Sequence, residues 1–386
     1  MGKNEVPFHR ASINHQEINA VISVLKSGWW TTGPKVAKFE EKFAKYVGAK
    51  YAIATSSCTA ALHLSLLAGK IGSGDEVILP TMTFSATAQV ALYCGAKPVF
   101  VDIDQETGLI DCGEIEKKIN KKTKAIISVD FAGQPADYQW LKKICRKNKL
   151  LFVSDAAHDL PSYYKNKIVG TQADLTCFSF YPTKTIAATE GGMVTTKDRK
   201  MAEKIHRLRL HGMNRDVWKR YTGNGSWYYE IADLGYKYNM TDISAALGLV
   251  QLKKNQLLWR KRQVIAKKYN QAFSKMPEII IPGIKDDRQT SWHLYIVKLN
   301  LERLKIDRNQ FIEELSKRGV GTSVHFIPLY RHPYYKKILH YKFSQFPNSE
   351  WFYQRIISLP IFPDMTAKQT DFVINSVSGI SKKYRR

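Results

Sequence analysis

From Tyr51 to Thr196 the chain repeats one alternation: a short apolar run, often β-branched, then a stretch with apolar positions at helical spacing. The pattern predicts strands at Tyr51–Thr55, Glu76–Leu79, Pro98–Ile103, Ala125–Val129, Leu150–Ser154, Leu175–Phe180 and Gly192–Thr196. Helical stretches at Thr59–Leu67, Phe84–Cys94, Gly113–Ile119 and Tyr138–Lys147 separate most of them. Strands that read as continuous apolar runs need cover on both faces. The expected fold is therefore α/β, with a mostly parallel sheet between helices. In such sheets ligands sit at the carboxyl ends of the strands, so the residues just after each run carry the functional question.

The flanking segments complete the organisation. Asn14-His15-Gln16-Glu17 has the form of a capping box; Ile18, Val21, Ile22 and Leu25 follow on one face, and Gly28 ends the helix. Around 255–275 the pattern becomes a long basic helix. A proline-containing segment follows (Pro277, Pro282), then a strand-like run Ser291–Leu299, a helix from Arg308 to Arg318 and a strand near Gly321–Phe326. This divides the chain into a larger domain over 1–254 and a smaller C-terminal α+β domain over 255–386. The stretch Asn214–Glu230 reads as a long loop.

Composition removes several classes. At 386 residues, with 44% hydrophobic and 12% aromatic, the chain has ample material for a core and is not a disordered polymer. No run of eighteen apolar residues suggests a membrane span, and the first residues lack the apolar segment of a secretory signal. The five cysteines (Cys58, Cys94, Cys112, Cys145, Cys177) are scattered and include no C-x-x-C pair. That usage fits reduced thiols in a cytoplasm better than a disulfide framework or a zinc site. Lysine and arginine number 59 against 34 acidic residues, a net charge of +25 that suits nucleic acid, an anionic membrane or acidic small molecules. The cations lie in short clusters such as Lys142-Lys143, without a helix-turn-helix, zinc-finger or aromatic RNA-binding signature. A solvated basic surface is the simpler account.

Three strand ends carry the chemistry. After Tyr51–Thr55 comes Ser56-Ser57-Cys58-Thr59-Ala60, hydroxyls at a helix start that offer donors to an anion or serve as ordinary N-caps. After Leu150–Ser154 comes Asp155-Ala156-Ala157-His158. Its carboxylate could be a salt-bridged core residue, a ribose or metal ligand, or the partner of a cationic heterocycle. Beyond Leu175–Phe180 lies Tyr181-Pro182-Thr183-Lys184-Thr185, then Glu190-Gly191-Gly192-Met193. A lone lysine here would be a surface residue. Together, a phosphate-suited helix start, a strand-end aspartate and a Ser-x-x-x-x-Lys loop are the parts of a pyridoxal phosphate site. The amine forms a Schiff base with the cofactor, and the carboxylate keeps the pyridine nitrogen protonated.

With these segments in place, the chain resembles the DegT/DnrJ/EryC1/StrS sugar aminotransferases, fold-type I pyridoxal phosphate enzymes. The resemblance runs from Phe8 to Val377. It is carried by Ser27–Pro34, Ser57–His63, Gly74–Ile78, Asp155–His158, Ser179–Lys184, Glu190–Met193, Gly235–Asp242 and Ser358–Pro363. Within the family, Gly235–Asp242, Gly321–Phe326 and Phe362–Thr366 look most like the aminotransferases that make UDP-4-amino-4-deoxy-L-arabinose.

The resemblance implies roles position by position. Lys184 would be the Schiff-base lysine and proton shuttle; Asp155 would pair with the pyridine nitrogen, with His158 near the ring's 3′ oxygen. Phe84 would stack on the ring, and Cys58, Thr59 and Ser179 would bind the phosphate. Asn239 would reach it from the neighbouring subunit of a homodimer. Trp29, Thr31, Thr32 and His325 would line the sugar pocket, although His325 also reads as a packed strand histidine. Charge and loop length add Lys219 and Arg220 as contacts for a substrate diphosphate. Cys58 stands where many members have glycine, and Tyr181 where many have histidine. The family's sugar 3-dehydratases have histidine in place of Lys184, so lysine favours transamination. The implied reaction moves the amino group of L-glutamate to a nucleotide-linked 4-keto sugar, UDP-linked by preference, in a ping-pong cycle. A 3-aminotransferase, a pyridoxal phosphate-dependent sugar dehydratase and a basic nucleic-acid-binding regulator are the alternatives.

Overall fold

In the computed structural model, described over residues 6–213 and 228–386, the first two thirds of the chain build one seven-stranded sheet. Its strands are β1 (Tyr51–Thr55), β2 (Glu76–Pro80), β3 (Lys97–Val101), β4 (Thr123–Val129), β5 (Leu151–Asp155), β6 (Leu175–Ser179) and β7 (Gly192–Thr196). Their spatial order is β1-β7-β6-β5-β4-β2-β3. Pairings from β3 across to β6 are parallel, whereas β7 runs antiparallel to both β6 and β1. Alternate residues feed two separate cores. Ile126 and Phe178 belong to one; Ala125, Ile127 and Cys177 belong to the other. Both faces are covered, which is why these strands are apolar throughout.

Helix ends follow their local signals. Asn14 accepts from Gln16 and Glu17 reaches back to the Asn14 backbone, while Gly28 closes the helix His15–Ser27 at φ 73°. The long basic helix begins earlier than the pattern suggested: it spans Asp242–Phe273, capped by Thr241, so the position 254/255 falls inside it. Beyond it, Ile279–Ile280, Tyr295–Leu299 and Ile356–Leu359 form a three-stranded antiparallel sheet with its own core. Val6, from the opposite end of the chain, is buried in that core.

One expected strand does not form. Gly321–Phe326 makes a single bridge, Ser323 to Ser358, and is otherwise irregular. The segment leaves the sheet to carry His325 and Phe326 to the large cavity at the strand ends. No helix among the described residues is long and apolar enough to cross a membrane.

Candidate active site

The carboxyl ends of β1, β4, β5 and β6 open onto a cavity of about 480 Å3. Cys58, Thr59, Phe84, Asp155, His158, Ser179, Lys184 and His325 all line it. A roomier groove of about 780 Å3, between the helices Pro34–Val47 and Arg199–Leu208, holds none of them. Size is therefore a poor guide here, and the convergence of functional groups is the better one.

Local sequence explains each placement. Ser57 caps the helix Cys58–Ala68 by accepting from the Ala60 N–H, which leaves other first-turn donors for an anion. Gly192, the first residue of β7, pairs with Thr55 on one side and Ser179 on the other. A Cβ there would lie 2.4 Å from the Ser57 carbonyl and 2.7 Å from the Cys58 nitrogen. The second glycine of Glu190-Gly191-Gly192 thus lets two strand ends close around the helix start. Gly192→Ala should lower stability by about 2 kcal/mol, read by thermal unfolding, because backbone rather than a flexible side chain must move.

Asp155 ends β5 and is 5% exposed. Its carboxylate accepts from the Thr87 hydroxyl at 2.8 Å and the Ala157 N–H at 3.2 Å, and Cys58 Sγ lies at 3.9 Å. No lysine or arginine nitrogen lies within 4 Å of it among the described residues. Burial therefore raises its pKa, against the lowering effects of Thr87, Ala157 and Lys184. The Lys184 ammonium is disfavoured by the same burial, which brings its pKa down to about 8 although Cys58 and Asp155 oppose the shift. About one lysine in ten is then neutral at pH 7.

The histidines of the cavity are neutral. Burial, aided by Lys184 and His325, pushes His158 well down; the Ala132 N–H donates to its Nδ1 at 3.2 Å, so the ring proton sits on Nε2. Burial and Lys184 hold His325 at about 4, with its Nδ1 2.8 Å from Ser358 Oγ. Phe84 is 61% exposed at the cavity, leaving its ring free for a flat partner.

An amine, a buried carboxylate without a cation, an open aromatic ring and a helix start with free donors suit the aldehyde, ring nitrogen, ring face and phosphate of pyridoxal phosphate. The residues present fit that group.

Other expected residues lie elsewhere in the single chain. The Trp29–Thr32 loop folds onto the start of the helix Asp242–Phe273. Thr32 Oγ1 donates to the Met240 carbonyl and accepts from Asn239 Nδ2, both at 2.6 Å. Asp242 accepts from the N–H groups of Gly33, Lys35 and Val36 and donates its own to the carbonyls of Trp30 and Thr31. Trp29, Thr31, Thr32 and Asn239 therefore do not line this chain's cavity. Lys219 and Arg220 fall outside the described residues.

Sequence reasoning missed Thr87, His293 and Phe326. Thr87 stands one helical turn after Thr83, to whose hydroxyl it is bonded at 2.7 Å; hydroxyls four apart at a helix start were a usable signal. His293 is a buried histidine beside an apolar strand, 4.5 Å from the His158 ring, and nothing nearby in sequence marks it.

The sequence profile of the DegT/DnrJ/EryC1/StrS aminotransferase family matches residues 11–378. The chain belongs to that family. Its relatives differ in description. An uncharacterized protein of Methanocaldococcus jannaschii is 53% identical over 380 residues, 98% of each chain. The spore coat polysaccharide biosynthesis protein SpsC of Bacillus subtilis is 45% identical over 378 residues, 98% of this chain and 97% of SpsC. Among solved structures, Spr1654 of Streptococcus pneumoniae, assigned as a sugar aminotransferase, superposes in its PMP form with a TM-score of 0.92 at 35% identity. The match covers 98% of this chain and 99% of Spr1654. Its PLP form superposes at 0.91. The family and these matches make the protein a sugar aminotransferase on a fold-type I scaffold.

Proposed function

We propose that the enzyme transfers the amino group of L-glutamate to a nucleotide-linked 4-keto sugar, UDP-linked by preference, with pyridoxal phosphate as cofactor. The observation that carries the reading is a lysine with a depressed pKa sharing one cavity with a buried, cation-free aspartate. When bound, pyridoxal phosphate supplies an aldehyde that holds the amino group and a ring that draws electrons from the substrate carbon. The chain supplies the rest. Neutral Lys184 Nζ would move a proton between the substrate carbon and the cofactor's carbonyl carbon. Asp155 would pair with the ring nitrogen and keep it protonated, and Phe84 would stack on the ring. The helix start at Cys58 and Thr59, with Ser179, binds the phosphate by N–H and O–H donors. His158, with its proton on Nε2, donates to a ring oxygen, and His325 faces the sugar.

The homodimer belongs to the same proposal. Asn239, held beside Thr32 and away from its own chain's cavity, would serve the partner subunit's phosphate, and the Trp29–Thr32 loop the partner's sugar. Lys219 and Arg220 are proposed for the diphosphate. Free cysteines throughout suit a cytoplasmic setting.

The test is a two-step incubation. Purified protein supplied with pyridoxal phosphate should show a cofactor absorbance band that L-glutamate converts, with release of 2-oxoglutarate. A UDP-4-keto sugar should then restore the band and gain nitrogen in place of its carbonyl oxygen. Restoration by a 3-keto sugar alone would move the amination to C3. Loss of oxygen without gain of nitrogen would make the enzyme a dehydratase.

A further inference from the structure

The segment Val6–His9 touches the site at two places, yet it lies more than 170 residues from the lysine turn in sequence. Val6 is anchored in the C-terminal core: its N–H donates to the Gly319 carbonyl at 2.8 Å, and its carbonyl accepts from Gly321 N–H at 2.8 Å. The chain then runs so close to Gly321 that a Cβ there would lie 2.6 Å from the Phe8 nitrogen. From this anchor Phe8 stacks on the His325 ring, with centroids 5.5 Å apart and planes 23° from parallel. The next residue, His9, places Nε2 3.0 Å from the Pro182 carbonyl, two residues before Lys184. Consecutive residues thus reach two linings of one cavity, His325 and the turn that bears Lys184.

We propose that Phe8 and His9 are positioning residues, a tie that holds the Lys184 turn against the His325 side of the cavity and so limits the access of water to the lysine amine. The proposal rests on the reading of Lys184 as the reacting amine. A carbonyl can only accept, so His9 must carry its proton on Nε2. The ring is neutral at working pH: burial, Arg262 and Lys184 bring its pKa to about 4, against the opposing Pro182 contact. A neutral donor is what this place requires. An arginine would hold the same carbonyl but set a permanent positive charge beside Lys184. The Lys184 N–H already bonds the Tyr181 carbonyl at 2.8 Å, so the turn has its own shape; His9 fixes where that shape sits.

The experiment uses the full chain without cofactor. The Lys184 amine is labelled with acetic anhydride across a pH series, and its modification rate is read by peptide mass spectrometry. The parent should show a midpoint near 8. In His9→Ala the turn loosens and more water reaches the amine. The midpoint should rise by about one pH unit, slowing labelling about tenfold below both midpoints. His9→Gln, whose side chain offers an uncharged N–H at similar reach, should keep the parental profile. His9→Asn, which is too short, should behave like alanine and serves if the alanine variant does not fold. An unchanged midpoint in His9→Ala or His9→Asn, or an equal shift in His9→Gln, overturns the proposal. Because labelling needs neither cofactor nor substrate, it reports on the tie even if amino transfer from glutamate is never observed.

Discussion

Lys184→Ala should reduce amino transfer about 10^4-fold or more while leaving the protein folded, because one side chain performs two tasks. It attaches the cofactor and it moves the proton, and general acid–base catalysis alone is worth about 10^2–10^4. Lys184→Arg separates base from charge. A guanidinium keeps the cation but does not give up its proton at working pH, so this variant should be as inactive as alanine. The pH dependence has a definite sign. Burial lowers the Lys184 pKa to about 8 in the cofactor-free chain, so attachment of pyridoxal phosphate, which needs the free amine, should speed up about tenfold for each pH unit well below that value and level off above it. Growth of the cofactor absorbance band on mixing measures this directly, and single-turnover conversion by L-glutamate measures the loss in the variants, with thermal unfolding as the control. Comparable turnover by Lys184→Ala would remove the lysine from the chemistry.

The strands that build this site were legible because their residues have only one solution. Tyr51–Thr55 and Gly192–Thr196 are short, apolar and bounded by turn residues, and both appear with the expected limits. The polar residues at their ends stood out because they interrupt apolar runs where the sheet stops. Residues defined by distant partners were not legible in the same way. The resemblance puts the Trp29–Thr32 loop at a sugar pocket, and nothing in its sequence shows that Asp242, over 200 positions away, gathers the N–H groups beside it. Gly321–Phe326 has strand composition, but Val6 and Phe8 pack along it and only Ser323 bridges a strand. Val6–His9 itself carries no pattern, since its meaning lies in Gly319, His325 and Pro182. Periodicity reports which face of an element is buried, and it is silent about which remote element buries it.

Asp155→Asn should divide stability from function. Without cofactor the buried carboxylate has no cation within 4 Å among the described residues, and its raised pKa means that burial outweighs the help of Lys184 and favours the protonated form. The sign follows: a group whose pKa is higher in the folded than in the unfolded chain stabilises at low pH and loses that contribution as pH rises through the folded value. At neutral pH the cofactor-free parent therefore bears the cost of that raised pKa, as buried charge or as a bound proton, which asparagine does not. The variant should melt at the same temperature or higher, provided its amide still accepts from Thr87. Cofactor reverses the order. A protonated ring nitrogen gives Asp155 the cation it lacks, and a buried pair broken on one side loses about 3–5 kcal/mol. Asparagine offers no charge to hold that proton, so the ring draws electrons less well. The rate should fall about 10^2–10^3-fold, while L-glutamate binding changes far less. Thermal unfolding of both proteins, with and without pyridoxal phosphate, should show the two curves exchanging places. If the parent were the more stable in both states by the same margin, Asp155 would be a structural carboxylate satisfied by Thr87 and Ala157, and the cation it lacks would have to be sought elsewhere in the cavity.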